Sequence, residues 1–145
     1  MRFMIIRKSD ALTEAGKMPG TAILGAMGKY MQDMQDAGIL LGGEGLQPSS
    51  RGAKVKFEKG KATVTDGPFT EAKELIAGYS MIEVPSLADA IAWAQRWPAG
   101  AADTEENVEL EIRQVFEAED FGEEFTPAQR AAEEKMRAEL AAKQR

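Results

Sequence analysis

A strand followed directly by a helix decides the fold, and it occupies residues 75–98, LIAGYSMIEVPSLADAIAWAQRWP. Residues 75–84 are rich in strand-forming side chains and predict a long strand at the centre of a sheet. Ser86 is a preferred N-cap residue, and Pro98 is expected to end the helix that follows. The inner face of this helix is predicted from apolar residues at three- and four-residue steps, namely Leu87, Ala90, Ile91, Ala94 and Trp97.

The N-terminal part of the chain predicts a strand, a helix and a second strand. Residues 2–7 form a short apolar run between charges, which is typical of a buried strand, and residues 9–20 are expected to be a loop that crosses one end of the sheet. Thr21 is expected to cap the next helix. The inner face of that helix is predicted from the spacing of Ile23, Met27, Tyr30, Met31 and Met34. Residues 39–46 then predict an apolar strand that becomes rich in glycine.

The middle of the chain predicts a β-hairpin. Residues 53–58 alternate between apolar and polar side chains, Lys59 and Gly60 supply a tight turn, and residues 61–65 return as the second strand. The basic face of this hairpin is either a solvated edge or an attraction for an anionic substrate. Its charges are Lys54, Lys56, Lys59 and Lys61. Residues 108–116 predict the last strand, with one face exposed.

This order of elements predicts an α+β protein with a ferredoxin-like split βαβ sheet, two helices on one face, and the hairpin as an addition. The domain is expected over residues 1–118, with a C-terminal helical extension at 119–145. Thr126 and Gln129 predict a capped helix in the extension, which would dock on its own domain or on a partner subunit. Its apolar stripe is Ala128, Ala132, Met136 and Leu140. The second face of the sheet needs cover, so a homodimer is expected.

The composition excludes several classes of activity. The 145 residues contain no cysteine and no histidine, which excludes thiol enzymes, histidine-dependent triads and typical zinc sites. A net charge of −6 disfavours direct binding of nucleic acid. With no membrane-length apolar run and no secretory signal, the protein is expected to be cytoplasmic and to make no membrane contact. No cofactor is expected, because the sequence has neither a phosphate-binding glycine loop nor an acidic metal-binding loop.

Two carboxylates are the candidates for chemistry. Asp66 precedes Gly67 and Pro68 at the end of a predicted strand, where it either acts as a general acid or base or only accepts hydrogen bonds within its own turn. Glu44 lies among glycines in an otherwise apolar strand. It is therefore either a second acid in the same cleft or the ion-pair partner of a nearby cation such as Arg51.

Two aromatic side chains are candidates for the ligand-binding surface. Phe69 and Tyr79 can line a cleft and stack on a ligand, although an aromatic residue in a central strand more often belongs to the core. Gly67 and Pro68 are expected to shape the same cleft beside Asp66.

Two segments resemble a known family. Residues 65–74, TDGPFTEAKE, followed by Gly78-Tyr79 and the helix after Ser86, resemble the YCII-related family in its DGPF-motif branch, and residues 43–48, GEGLQP, are similar to a second segment of that branch. The resemblance covers about the first 118 residues. It implies a ferredoxin-like αβ dimeric barrel, a homodimer and a small cleft. Some relatives are similar to dehydrochlorinase-like enzymes that use a His-Asp pair, of which only the aspartate, as Asp66, is available here.

Two functions remain open. The first is a cofactor-free enzyme of the lyase or isomerase type, in which Asp66 moves a proton on a small organic acid or aromatic metabolite. The second is a non-catalytic regulatory or protein-interaction module that uses the same cleft or the C-terminal helix. The resemblance supports the second function as well, because relatives in the DGPF branch are linked to transcription sigma factors.

Overall fold

The computed structural model describes residues 1–99 and 107–144, contains both strands and helices, and confirms the α+β class. The strands of this part are β1 (Arg2–Lys8), β2 (Leu40–Gly45), β3 (Ala53–Glu58), β4 (Lys61–Asp66), β5 (Ile76–Glu83) and β6 (Leu110–Gln114). The helices are α1 (Ala11–Glu14), α2 (Thr21–Asp36), α3 (Leu87–Ala94) and α4 (Pro127–Lys143). Among these residues, no helix combines the length and the apolar character needed to cross a membrane.

The sheet has the strand order of the predicted split βαβ fold. Four strands pair in the order β2-β5-β1-β6, and every neighbouring pair is antiparallel. Without the hairpin, β5 is the third strand of the chain and β6 the fourth, so the order is that of a ferredoxin-like sheet. The prediction that residues 75–84 form a central strand is confirmed, because β5 pairs on both sides.

One face of this sheet and the two helices α2 and α3 enclose the core. Phe3 lies opposite Ile82 in the β1–β5 register, and both side chains are fully buried. The alternation of the strand places these residues on one face and their neighbours on the other. The buried apolar residues are Phe3, Ile5, Tyr30, Met34, Ile82, Val84 and Ala90, from strands β1 and β5, helices α2 and α3 and the residue after β5.

The other face of the sheet, here called the open face, carries a patch of partly exposed apolar side chains. Met4 lies opposite Met81, and Ile6 lies opposite Tyr79, in the same register. Because they alternate with Phe3 and Ile82, these four side chains point away from α2 and α3. The open face is therefore a partly exposed apolar surface.

The predicted hairpin is confirmed as a separate two-stranded sheet of β3 and β4 joined by Lys59 and Gly60. Lys59 and Gly60 both have positive φ, 50° and 79°, as a tight hairpin turn requires. Every residue of both strands is exposed, the basic and the apolar side chains alike. The basic face is thus solvated, which agrees with the interpretation of the hairpin as a solvated edge.

Several strand ends lie one or two residues from their predicted positions, and the helices differ from the sequence prediction in three further places. Residues 9–20 contain the short helix α1, which Asp10 caps by accepting a hydrogen bond from the Thr13 amide at 2.7 Å. Gly20, rather than Thr21, is the N-cap residue of α2. The helix α3 ends at Ala94 because Trp97 precedes a proline, which disfavours the helical conformation.

The contacts divide the chain into two units, Met1–Val115 and Phe116–Arg145. In the second unit α4 begins with the predicted capping box, in which Thr126 and Gln129 bond each other's backbone. Arg130 donates to backbone carbonyls of the segment before the helix, including Ala118 at 2.8 Å, and lies over the Phe125 ring. The predicted apolar stripe of α4 is exposed.

Candidate functional site

A cleft of about 650 Å³ opens in the first unit, at the end of the sheet where β1 and β2 terminate. Its walls are the end of β1, the helix α1 and the loop after it, the first turns of α2, residues 45–51 after β2, and Trp97 and Pro98 after α3. This volume falls within the range of small-molecule sites, roughly 300–1,000 Å³. The loop that forms one wall is the segment at residues 9–20 that was expected to cross one end of the sheet.

The cleft lining contains large apolar side chains. These are Leu12, Met18, Ile23, Leu24, Met27, Leu46 and Trp97. Trp97 is held in place by the core, because its ring meets the Tyr30 ring edge-on with the centroids 5.7 Å apart. The Tyr30 hydroxyl donates to the Trp93 carbonyl at 2.8 Å. Burial raises the pKa of Tyr30 to about 12, although the charge of Arg96 acts in the opposite direction, so this hydroxyl keeps its proton at neutral pH.

The cleft lining also contains charged side chains. The Arg7 side chain is only 11% exposed, and its guanidinium bonds the Asp10 carboxylate and the Lys8 carbonyl, each at 3.2 Å. Partial burial raises the pKa of Asp10, but the Thr13 hydrogen bond and the Arg7 charge outweigh it, so the net pKa lies below its ordinary value. Asp10 is therefore ionised at neutral pH. Lys17 and Arg51 also line the cleft and are exposed.

A hydrogen-bond chain connects the cleft wall to the turn that follows β4. The Glu14 carboxylate accepts hydrogen bonds from the Ser49 amide, at 3.1 Å, and from the Ser49 hydroxyl. The Ser49 oxygen in turn accepts from the Phe69 amide at 3.0 Å. The Gly67 amide donates to the Gly52 carbonyl at 2.9 Å. Residues 49–52, two of which line the cleft, are thus fixed by α1 on one side and by the turn on the other.

The DGPF residues form this turn. Asp66 ends β4 opposite Ala53 and is exposed, and Gly67 and Pro68 are joined by a cis peptide bond. Pro68 is exposed, whereas Phe69 is half-buried beneath the Lys54 ammonium, which lies 4.3 Å from the ring centroid. A Cβ atom on Gly67 would lie 1.7 Å from the Ser49 carbonyl oxygen, so only glycine fits there.

Glu44 and Tyr79 lie opposite each other on β2 and β5. The register places both on the open face, with Glu44 exposed at the edge of the sheet and Tyr79 partly exposed. The structure therefore brings Glu44 and Tyr79 together, and groups Asp66, Gly67, Pro68 and Phe69 separately. None of these six predicted site residues is among the described residues that line the 650 Å³ cleft.

The charged residues of the cleft were not singled out from the sequence as a site. Arg7, Lys17 and Arg51 come from a strand end and two loops, with no fixed spacing that a motif would reveal. Only the pair Arg7 and Asp10, three residues apart where a strand ends, gave a local signal. In the described part of the chain, no three acidic side chains cluster closely enough to hold a metal ion.

Comparisons with known proteins place the first unit in a family. The chain is 36% identical over 50 residues to an uncharacterized protein of Rhizobium meliloti, a match that spans 34% of this chain and 40% of the length of that relative. It is similar to 5-chloro-2-hydroxyhydroquinone dehydrochlorinase from Burkholderia phenoliruptrix, solved with 2,5-dihydroxybenzoquinone, at 13% identity and a TM-score of 0.45 over 84% of this chain and 100% of the other. Residues 1–116 match the YCII-related domain, and the chain belongs to the YCII-related family.

Proposed function

We propose that this chain binds a small organic molecule in the cleft at the end of β1. The observation that carries the proposal is the cleft itself, whose volume suits a small molecule and whose lining combines apolar and charged side chains. Apolar walls supply affinity through burial, and a few fixed polar groups orient the ligand. Arg7 and Asp10 are fixed in this sense, since each holds the other and Asp10 also bonds Thr13.

A thermal-shift screen of a metabolite library tests this function, because a ligand that binds only the folded state raises the unfolding midpoint. The screen compares the wild type with Leu24→Gln, which changes an exposed leucine of the cleft wall. Leu87→Gln is the matched control, because Leu87 is an equally exposed helical leucine outside the cleft. Hits that are weakened by Leu24→Gln and kept by Leu87→Gln support the proposal. A library with no hit, or hits that both variants keep, contradicts it.

We also propose that two copies of the chain associate through the open face. Met4, Ile6, Tyr79 and Met81 form an apolar patch in the middle of the sheet. A two-fold axis through such a patch buries it against its own copy, which is how homodimers commonly close. Glu111 and Arg113, which pair with each other at 3.4 Å, lie beside the patch on β6 and supply polar groups at its border.

Analytical ultracentrifugation tests the dimer. The wild type is expected to sediment as a dimer, and Met81→Glu as a monomer, because the substitution places a carboxylate in the centre of the buried patch. Leu87→Glu is the control, because it adds the same charge on α3 and is expected to leave the dimer intact. Leu41 is not used as the control position, because it lies on the edge strand β2 next to β5. A wild-type monomer contradicts the proposal.

The reaction proposed for the bound molecule is a cofactor-free proton transfer of the lyase or isomerase type, with Asp66 as general acid or base, which requires the ligand to reach beyond the cleft lining to the turn at Asp66. The support for this role is the position of Asp66 in an exposed turn whose neighbours bond Ser49, next to the cleft residue Ser50. The alternative, a non-catalytic interaction module, is supported by the exposed apolar stripe of α4, where Met136 and Leu140 are each about half exposed.

A further inference from the structure

The charge of the cleft is opposite to that of the chain. The chain as a whole carries −6, yet within residues 1–99 and 107–144 the cleft lining presents three cations, Arg7, Lys17 and Arg51, against one carboxylate, Asp10. Acidic residues outnumber basic ones in the sequence by 24 to 18. A cationic pocket in an acidic protein is a local feature of the site, and it attracts ligands of negative charge.

The single carboxylate of the lining is already engaged. Asp10 bonds the Arg7 guanidinium and caps α1, so it offsets the charge of Arg7 and of no other cation in the cleft. The next carboxylate along the chain, Glu14, is not in the lining, and its oxygens accept hydrogen bonds from Ser49. In the part of the chain that the structure describes, no further acid of the cleft lining neutralises the charges of Lys17 and Arg51.

The cations and the apolar wall come from different elements that face one cavity. Lys17 lies in the loop after α1, and Arg51 ends the turn after β2. Three residues of the apolar lining, Ile23, Leu24 and Met27, lie on α2. A ligand that satisfies both must be amphipathic, with a charged group at one end and a ring or branched apolar body at the other.

We propose that the ligand of the cleft is an organic anion, with a carboxylate or phenolate held by Arg51 and Lys17 and an apolar body packed against Leu24 and Met27. This inference rests on the proposed binding function and specifies its ligand class. The planar guanidinium of Arg51 suits a two-point hydrogen bond with a carboxylate, and Lys17 adds a mobile point charge.

Isothermal titration with 1-naphthoate and with its neutral isostere 1-naphthamide tests the ligand class. The two probes have the same ring and differ in charge, so any preference reports the anionic group. At low ionic strength the acid is expected to bind about tenfold more tightly than the amide. Raising the salt from about 20 mM to about 500 mM is expected to weaken the acid and to leave the amide unchanged, because exposed cations are screened.

Charge-removing variants locate the effect. The double variant Lys17→Gln and Arg51→Gln is expected to abolish the preference for the acid while keeping the binding of the amide. Lys61→Gln and Lys73→Gln together remove the same charge from exposed positions outside the cleft, and this control is expected to keep the preference.

The outcomes separate the two proposals. Equal binding of acid and amide overturns the inference about ligand class and leaves the binding function standing. A preference for the acid that survives in the Lys17 and Arg51 variant also overturns it, because the anion then binds elsewhere. Binding of neither probe overturns the inference, and the metabolite screen then decides separately whether the cleft binds a small molecule at all.

Discussion

The cleft and the turn at residues 66–69 share the segment Ser49–Arg51 but differ in how their space is filled. On the turn side, Ser49 meets Gly67 so closely that a single added carbon would overlap its carbonyl oxygen. On the cleft side, Ser50 and Arg51 face a cavity of about 650 Å³. The DGPF segment thus lies where backbone fills the space, whereas residues 45–48 of the second family segment line the cavity. A strong local sequence signal can mark a packing constraint as readily as a binding site.

The largest effect on stability is expected from adding a side chain at Gly67, where the turn packs against Ser49. Gly67→Ala is expected to lower the free energy of unfolding by about 3 kcal/mol or more, because the new Cβ would meet the backbone of Ser49, which has no flexible end to move. Urea denaturation measures this. Gly25→Ala on α2 is the control, since nothing lies within 4 Å of its Cβ position, and a helical alanine should raise stability by up to about 1 kcal/mol. Equal stability of Gly67→Ala and the wild type would contradict the close approach.

The second effect concerns Tyr30, whose ring supports Trp97 in the cleft wall. Its pKa is raised to about 12 in the folded protein, against about 10 in an unfolded chain. The folded state keeps the proton longer, so the contribution of Tyr30 to stability is fully present below pH 10 and is lost as the pH rises to 12. Over this window the wild type is expected to lose about 2–3 kcal/mol more than Tyr30→Phe.

Denaturation at a series of pH values checks this difference. Near pH 7, Tyr30→Phe is expected to be less stable than the wild type by about 1 kcal/mol, because it lacks the hydrogen bond to the Trp93 carbonyl. Two stability curves that stay parallel from pH 7 to pH 12 would show that Tyr30 does not support the wall in this way.

The third effect concerns the hydrogen bonds from Ser49 to Glu14, which connect the cleft wall to the turn at residues 66–69. Glu14→Gln replaces a charged acceptor of the Ser49 amide and hydroxyl by a neutral one, and is expected to cost about 1–2 kcal/mol. Glu71→Gln, an exposed position near the turn, is the matched control and should be neutral. Chemical denaturation distinguishes them, and indistinguishable variants would mean that Glu14 does not anchor Ser49.

The smallest effect on stability is expected at Asp66. Because its carboxyl is exposed, Asp66→Asn should change the free energy of unfolding by less than about 0.5 kcal/mol. Ligand binding in the cleft should also be unchanged, since Asp66 is not in its lining. The proposed acid–base role predicts instead a loss of turnover of a bound ligand, measured by product formation. Unchanged turnover in Asp66→Asn would show that Asp66 is not the general acid or base.

The fold could be predicted from the sequence because its determinants are local and periodic. The alternation around Lys59 and Gly60 indicates a hairpin, and the spacing after Ser86 indicates a helix on the inner face. Element order then leaves few right-handed topologies, of which the observed β2-β5-β1-β6 sheet is one. The short helix α1 was missed because four residues are too few to show a helical period.

The cleft could not be predicted from the sequence. Its cations, Arg7, Lys17 and Arg51, are brought together only when β1, the loop after α1 and the turn after β2 meet at one end of the sheet. The open face was expected in general terms, as a second apolar face of the sheet, and Tyr79 is one of its residues. The roles of Asp66 and Glu44 stay predictions, because they depend on a ligand or a second subunit.

Chemical-shift mapping of backbone amides during titration with 1-naphthoate tests the binding cleft most directly. The largest shifts are expected at Thr13, Leu24 and Leu46, which line the cavity from α1, from α2 and from the segment after β2. Shifts confined to residues 65–70 of the turn, or to Glu44 and Tyr79 on the open face, would contradict this expectation and would place the site where the sequence motif lies.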